Sequence, residues 1–551
     1  MRLFVPALSA LAAVSLIAYG LAFSSGITDT RWLALLGIAW LLLLVASRIR
    51  LPIVIPAFNR SLVRTAMVIA TVFVIISAQL VRIQVVRSDD TYFRSAEGAD
   101  GEVMGNPRIA NSDLGVERGE IVDRDGTLIA GTEKEGNVFI RTYPDPATAY
   151  VAGYYSPLLY GSSGLEEAFN RELVGQEGND PVDRVTNDLL NRPQRGSDLR
   201  LTLDAGLQGY ATQLLDESNG GLVVMDATSG EVLVLASNPA YDPNRLFTSD
   251  PSQRDAATAY WTSLLERPDA PLVLRPTMGL FSPGSVFKTV TAAIGIEAGY
   301  VEPDEIYEDT GELNIDGRIL VENNRPDPNR IEWTATEGMA WSLNVVFAQI
   351  GLEIGAKDFW ENGGRFGFGT PIPFDIPVAT GQIASSQEFL RNNNALADTG
   401  FGQGEILVSP LQMALVTSMY VNEGKMMRPF LVDAIVGDEG EVVRTTEPRV
   451  LQQSISPGTA SDVEQMMIAA VQNGSVDEAA IDGYRVGGKT GTAETGGGSA
   501  HSWFIGFIGT NGGEPEYVVA VVLENGNDTD RAATTGRDML LETISADPSG
   551  E

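Results

Sequence analysis

The chain has 551 residues, a net charge of −34, one histidine and no cysteine. The length predicts two or three folded units, and the acidic balance argues against nucleic acid as a partner. The missing cysteines exclude a thiol nucleophile, disulfides and cysteine-based metal centres, and a Ser-His-Asp triad could use only His501. Any hydrolytic or acyl-transfer chemistry must therefore depend on lysine, serine or carboxylates.

The N-terminal part, residues 1–87, is basic and apolar. Three apolar runs, Phe4–Phe23, Trp32–Ala46 and Thr65–Val81, predict three membrane spans. Between the second and third runs lie four arginines and no acid: Arg48, Arg50, Arg60 and Arg64. By the positive-inside rule that loop is cytoplasmic. We therefore expect a cytoplasmic N-terminus and an extracellular C-terminal part, anchored in the cell membrane.

The middle part, residues 88–197, is polar and rich in turn residues. Gly115–Ala130 predicts two strands joined by a tight turn at Asp125-Gly126. Tyr160–Phe169 predicts a turn followed by a short helix, and Asn191–Gly196 has the composition of a linker. We interpret this part as a β-rich pedestal without chemistry of its own.

The third part, residues 198–551, alternates predicted strands and helices. Gly221–Ala236 predicts a hairpin, Trp503–Ile508 and Tyr517–Leu523 predict a second one, and Arg537–Ile544 predicts a closing helix. Strands at both ends with a helical middle indicate an α+β domain in which helices pack on one antiparallel sheet.

The segment Phe281–Lys288 predicts a tight turn that leads into a helix. Ser285 and Lys288 are three residues apart, so their side chains share a helix face, as a nucleophile and its base would. Only five residues of the chain are lysine and 33 are arginine. A lysine kept in such a chain can supply what arginine cannot, the loss of a proton. The alternative is a solvated Ser–Lys pair on an ordinary helix.

Two further patterns follow. Ser342-Leu343-Asn344 comes 57 residues after Ser285, and Lys489-Thr490-Gly491 comes 147 residues after Ser342. Alone, the first could be a pair of helix-capping residues, and the second a glycine-rich turn with a solvated lysine.

Together, S-x-x-K, S-x-N and K-T-G in this order resemble the penicillin-recognising serine acyl-transferases. The chain resembles a class B penicillin-binding protein, most of all the actinobacterial penicillin-binding protein A type. Three other segments carry this resemblance: Arg118–Arg124, which matches an R-G-x-I-x-D-R box, Gly402–Gly404 with Ser409–Ala414, and Trp503–Gly506. Members of the class usually cross the membrane once, so the extra N-terminal hairpin departs from the pattern.

The resemblance implies the fold of the penicillin-binding-protein and serine β-lactamase domains and a peptidoglycan D,D-transpeptidase activity without cofactor or metal. It implies four catalytic residues: Ser285 is the nucleophile, Lys288 is its base, with a pKa lowered by burial and by the charge of Lys489, and Ser342 relays a proton between Lys288 or Lys489 and the leaving nitrogen. It implies substrate-binding roles for four residues: Asn344, Thr490, Gly491 and Thr492. The partners so implied are stem peptides that end in D-Ala-D-Ala, an acceptor amine, and β-lactam antibiotics.

Other functions stay open at this point. The same serine could serve a D,D-carboxypeptidase or a β-lactam hydrolase, for which Glu494 is the nearest candidate to activate water. A non-catalytic cell-wall scaffold or β-lactam sensor is the alternative outside enzymes. Because no polymerase module is recognisable, we also expect a membrane glycosyltransferase partner of the shape, elongation, division and sporulation family.

Overall fold

The computed structural model describes residues 4–23, 27–48, 56–87, 96–97, 103–104, 114–136, 138–176, 195–249, 251–495, 499–510 and 515–546. These form two compact units, residues 1–112 and 113–551. Part of the predicted linker, residues 191–194, and the turn at 511–513 lie outside the described residues.

The first unit is built on three apolar helices, α1 (Phe4–Ala22), α2 (Asp29–Ala46) and α3 (Ala57–Val81). All three are long and apolar enough to cross a membrane. Helix α3 begins eight residues before the predicted run, so that Arg60 and Arg64 lie in its first turns. Arginine is a good helix former, and hydropathy marks only the apolar part of a helix. Helix α3 continues into a π-helical turn (Arg82–Val86), and two short strands, β1 (Ala96–Glu97) and β2 (Val103–Met104), also belong to this unit.

The second unit begins with residues 113–197 of the predicted pedestal. Its strands are β3 (Ile121–Val122), β4 (Leu128–Glu135), β5 (Val138–Thr142), β6 (Tyr155–Ser156) and β7 (Gly161–Ser162). Its helices are α4 (Pro146–Ala152), α5 (Gly164–Ala168) and α6 (Asn170–Leu173). Both the predicted strand–turn–strand unit and the predicted turn and helix at 160–169 are present.

A buried carboxylate organises the pedestal. Glu166 on α5 is fully buried and accepts hydrogen bonds from Arg118 Nε at 2.6 Å, Arg141 Nε at 2.6 Å and Tyr143 Oη at 3.0 Å. Asp123 accepts from the backbone N–H of Thr127 at 2.7 Å and of Ala205 at 3.1 Å. The charged residues at 118 and 123 in the R-G-x-I-x-D-R box therefore hold the pedestal together and tie it to the chain that follows.

The rest of the chain supplies the larger set of strands. They begin with β8 (Asp198–Leu201), β9 (Gly220–Asp226), β10 (Val232–Asn238), β11 (Ile306–Glu308), β12 (Glu312–Ile315), β13 (Arg318–Val321), β14 (Glu332–Thr334) and β15 (Lys425–Met427). They continue with β16 (Val432–Val436), β17 (Val442–Thr445), β18 (Val450–Gln453), β19 (Tyr484–Glu494), β20 (Ala500–Thr510) and β21 (Pro515–Leu523).

The same part of the chain supplies the remaining α-helices of the described residues. They are α7 (Ala205–Leu215), α8 (Arg254–Glu266), α9 (Arg275–Met278), α10 (Lys288–Glu297), α11 (Ala335–Ala340), α12 (Asn344–Gly363), α13 (Gln387–Leu390), α14 (Asn393–Gly400), α15 (Pro410–Tyr420), α16 (Pro457–Asn473) and α17 (Thr529–Ala546).

The central sheet has five antiparallel strands in the order β10-β9-β21-β20-β19. Along β21, Val518 and Ala520 belong to one core cluster, and Val519 and Val521 belong to the other. Because neighbouring strand residues point to opposite faces, the sheet is covered by helices on both sides. Both predicted hairpins and the closing helix are confirmed, and the fold is the expected α+β arrangement.

A second sheet joins the pedestal to the larger domain. Its six strands run in the order β17-β16-β8-β3-β4-β5, and β3 pairs with β8 in parallel. Strands from both sides of the predicted boundary at residue 197 thus share one hydrogen-bonded sheet, which fixes the two parts of this unit to each other.

Candidate active site

The predicted nucleophile and base lie at the start of α10. Residues Gly284–Phe287 form a 3-10 turn that continues directly into α10 at Lys288. Val286, Phe287 and Val290 are fully buried and anchor this segment in the core. Lys288 Nζ lies 3.1 Å from Ser285 Oγ. Lys288 is itself fully buried, so the alternative of a solvated surface pair is wrong.

The S-x-N pattern meets the same lysine from a different part of the chain. Ser342 lies between α11 and α12, and Asn344 is the first residue of α12. Lys288 Nζ donates to Ser342 O at 2.7 Å and Asn344 Oδ1 at 2.9 Å, and lies 3.2 Å from Ser342 Oγ. Ser342 has φ of 59°, a left-handed backbone that is unfavourable for serine. That strain is held by the packing around it and turns the Ser342 carbonyl toward Lys288.

The K-T-G pattern lies on β19, one of the two edge strands of the central sheet. Lys489 is fully buried, and its Nζ donates to Thr490 O at 3.1 Å. Thr490, Gly491 and Thr492 line a cavity that also includes Ser285 in its wall. The interpretation of this segment as a glycine-rich turn with a solvated lysine is therefore wrong.

The turn that carries Ser285 lies close to strand β19. Gly284 has φ of 58°, and a Cβ there would lie 2.4 Å from Thr492 O. A Cβ on Gly491 would lie 2.6 Å from Pro283 O. From the neighbouring strand β20, Trp503 Nε1 donates to Ser282 O at 2.9 Å. Glycine is thus required on both sides of the contact that brings Ser285 beside Thr492.

Burial sets the proton affinity of both lysines. The pKa of Lys288 is held well below its ordinary value by burial first and by the charge of Lys489 second, while Glu322 acts in the opposite direction. Burial lowers the pKa of Lys489 to about 7. A neutral amine beside Ser285 Oγ can accept a proton, which a solvated lysine at neutral pH cannot do.

A cavity of about 880 Å³ opens in front of Ser285. Its lining includes the predicted residues Ser285, Ser342, Asn344, Thr490, Gly491 and Thr492. It also includes residues that no sequence pattern singled out: Arg318, Asn323, Asn324, Trp341 and Asp398. Their places beside the cavity depend on the path of the chain, since they come from separate segments around β13, α11 and α14.

Three other residues that the sequence analysis named lie at or near the cavity. Gln403 lines the cavity and donates from Nε2 to Thr492 O at 3.2 Å. Glu494 is exposed at the cavity lip. His501 Nδ1 accepts from the backbone N–H of Asn525 at 3.1 Å, and its ring packs edge-on against Phe281. Within the described residues, no group of His, Asp and Glu side chains is arranged to hold a metal ion.

The chain is similar to known proteins over most of its length. The model of the penicillin binding protein transpeptidase domain matches residues 220–541, and that of the penicillin binding protein A dimerisation domain matches residues 118–199. The peptidoglycan D,D-transpeptidase PbpA of Mycolicibacterium smegmatis is 30% identical over 87% of this chain and 96% of its own length. The peptidoglycan D,D-transpeptidase PbpA of Mycobacterium tuberculosis is 29% identical over 78% of this chain and 88% of its own.

Among solved structures, the imipenem acyl-enzyme complex of penicillin-binding protein A from M. tuberculosis superposes with a TM-score of 0.73. It is 28% identical, and the match covers 79% of this chain and 99% of that one.

Proposed function

Because this chain belongs to the penicillin-binding protein transpeptidase family, we propose that it cross-links peptidoglycan stem peptides through an acyl-enzyme on Ser285. The observation that carries the assignment is the position of Lys288 Nζ, within 3.2 Å of Ser285 Oγ, Ser342 Oγ and Asn344 Oδ1. A buried amine that reaches two hydroxyls can pass a proton between them, while the amide oxygen of Asn344 holds the amine in place.

In the first step, Ser285 Oγ attacks the carbonyl carbon between the two terminal D-alanines. Its proton passes to the neutral amine of Lys288, and the tetrahedral intermediate forms. Ser342 Oγ, in contact with Lys288 Nζ, carries the proton on to the leaving nitrogen, so that D-alanine departs as a neutral amine. Asn344 keeps Lys288 oriented through its Oδ1 and binds the substrate's peptide amide.

The oxyanion of the intermediate is held by backbone N–H groups of Ser285 and Thr492. The close approach of the turn to β19 supports this assignment. Removal of one such donor costs about 10²–10³ in rate. Lys489, Thr490 and Thr492, with Gly491 between them, receive the terminal carboxylate of the donor peptide. In the second step an amine from a neighbouring stem peptide attacks the acyl-enzyme, and the proton path runs in reverse.

A β-lactam offers the same amide in a strained ring and is expected to acylate Ser285. The first test is the intact mass of the full-length protein in detergent after incubation with a penicillin. We expect one adduct per chain, which Ser285→Ala loses. Ser282→Ala is the matched control in the same turn, since the contact of Ser282 with Trp503 is made by its backbone carbonyl. An adduct that persists in Ser285→Ala would refute the assignment of the nucleophile.

The rival activities use the same acyl-enzyme and differ in what resolves it. A D,D-carboxypeptidase or a β-lactam hydrolase needs a water molecule activated in the site, and the nearest carboxylate by sequence, Glu494, lies exposed at the cavity lip. Product analysis on a stem-peptide substrate separates them: a cross-linked dimer supports the transpeptidase, and free D-alanine without dimer supports hydrolysis. A scaffold or sensor would form neither product.

The three-part division into residues 1–87, 88–197 and 198–551 would put an anchored catalytic domain outside the membrane. The arginines between the second and third apolar runs support a cytoplasmic loop there. The cysteine-free chain allows a direct test with a membrane-impermeant maleimide. We expect Glu133→Cys, exposed on the pedestal, to be labelled on intact cells, and Ser47→Cys only after lysis. The reverse pattern would overturn the orientation.

The proposed partner is a membrane glycosyltransferase of the shape, elongation, division and sporulation family, which would supply the glycan strands. Many large apolar side chains of the three helices are exposed and could meet a membrane partner, among them Phe73 on α3, which is 66% exposed. We expect a photo-cross-linking residue at position 73 to capture the glycosyltransferase in membranes. The matched position is Thr71, which is 7% exposed and should give little product. Equal yields at both positions would contradict this docking face.

A further inference from the structure

A buried carboxylate lies behind the cavity, at a position that no motif marks. Glu322 follows directly after β13 (Arg318–Val321), and it is 6% exposed. Its Oε2 accepts from the backbone N–H of Val345 at 2.9 Å, and its Oε1 accepts from the backbone N–H of Asn324 at 2.9 Å. Val345 is the second residue of the 20-residue helix α12, so the carboxylate also meets the positive end of that helix.

The two contacts of Glu322 lead to the reacting groups. Val345 adjoins Asn344, whose Oδ1 accepts from Lys288. Asn324 Nδ2 donates at 2.9 Å to Ser342 O, the same carbonyl that accepts from Lys288 Nζ at 2.7 Å. Because Ser342 has an unfavourable left-handed backbone, its carbonyl needs such external support to keep this direction.

The charge of Glu322 also reaches the lysine. Lys288 takes up a proton whenever Ser285 is deprotonated, and burial and Lys489 both disfavour the ammonium that forms. Glu322 favours it. A fixed negative charge beside a group that becomes positive during a reaction lowers the barrier without further reorganisation. Other charges nearby are Asp309 and Arg325 behind Glu322, and Arg318, Asp398 and Glu494 at the cavity.

We propose that Glu322 is a positioning residue for acyl transfer, which holds Ser342 and Asn344 against Lys288 through Asn324 and Val345 and stabilises the ammonium that Lys288 forms during each proton transfer. This inference rests on the proposed function. A purely structural role of Glu322 would give a different result. Loss of a structural contact lowers the stability and the acylation rate at every pH, whereas loss of the charge also moves the pH at which acylation begins.

The test measures the rate of acylation by a fluorescent penicillin between about pH 5 and 10, with full-length protein in detergent. We expect Glu322→Gln to lower the plateau rate at least tenfold. The same variant should move the acid-side midpoint to lower pH by about one unit, because loss of an attractive charge makes Lys288 less basic. Glu322→Asp keeps the charge on a shorter side chain, so its midpoint should stay in place while its rate falls.

The matched control is Asp375→Asn. Asp375 Oδ2 accepts from the backbone N–H groups of Leu431 at 2.7 Å and Val432 at 2.9 Å, so its replacement removes the same kind of contact. In Asp375→Asn the acid-side midpoint and the plateau rate of acylation should equal those of the parent protein, even if the melting temperature of the variant falls.

An unshifted acid-side midpoint in folded Glu322→Gln would refute the stabilisation of the Lys288 ammonium by Glu322. An unchanged plateau rate would refute its role in positioning Ser342 and Asn344. If Glu322→Gln does not fold, Glu322→Asp is decisive, since a parent-like rate there would refute positioning. A parent protein that forms no adduct at any pH would instead refute the proposed function itself.

Discussion

The contact between the nucleophile turn and β19 can be tested by a single methyl group. In Gly284→Ala the new Cβ would lie 2.4 Å from Thr492 O, whereas a carbon and an oxygen in contact need about 3.5 Å. The turn or the strand must therefore move by about 1 Å, which separates the backbone N–H groups assigned to the oxyanion. Misplacement of this size costs about 10² in rate. In addition, alanine at φ of 58° costs about 1–2 kcal/mol of folding stability.

The assay is the rate of acylation by a fluorescent penicillin, with the melting temperature measured beside it. Gly299→Ala is the control, because Gly299 has φ of 74° just beyond the other end of α10, and no heavy atom lies within 4 Å of the position that its new Cβ would take. It should lose stability from the backbone strain alone and keep the parent rate. If Gly284→Ala is acylated as fast as Gly299→Ala, the close contact is not what places the oxyanion donors.

Three further predictions concern the buried charges. Lys288→Arg should leave the protein folded and lower acylation by about 10²–10⁴, since a guanidinium cannot accept the proton of Ser285; a parent-like rate in the same assay would exclude Lys288 as the base. Lys489 has a folded-state pKa of about 7, below its unfolded value, so the unfolded chain binds more protons between about pH 7 and 10. The free energy of unfolding should therefore rise with pH by up to about 1.4 kcal/mol per unit in that window, and Lys489→Met should lose this contribution in denaturant titrations at about pH 7, 8 and 9. In the pedestal, Glu166→Gln should destabilise by about 3–5 kcal/mol because it leaves two buried arginines without their counter-charge; the exposed neighbour Glu167→Gln should melt like the parent.

The sequence alone was sufficient for the parts of this protein that depend on neighbours along the chain. Ser285 and Lys288 are three residues apart, and a helical turn brings such a pair together wherever the helix lies. The apolar runs predicted the three N-terminal helices, and the valine-rich segments predicted the strands of the central sheet. The scarcity of lysine singled out Lys288 and Lys489 because lysine, unlike arginine, can become neutral when buried.

Only the tertiary structure decided which distant residues complete the site. Ser342 lies 54 residues from Lys288, and the left-handed backbone that turns its carbonyl to the lysine leaves no trace in residue type. Glu322 and Asn324 lie in a polar segment that matches no motif, yet their hydrogen bonds lead directly to that carbonyl. Local sequence determines the periodicity of helices and strands, whereas a strained backbone such as that of Ser342, the depth of a buried charge and the identity of its partners depend on how the whole chain packs. The proton affinity of Lys288, and with it the chemistry, is therefore a property of the fold.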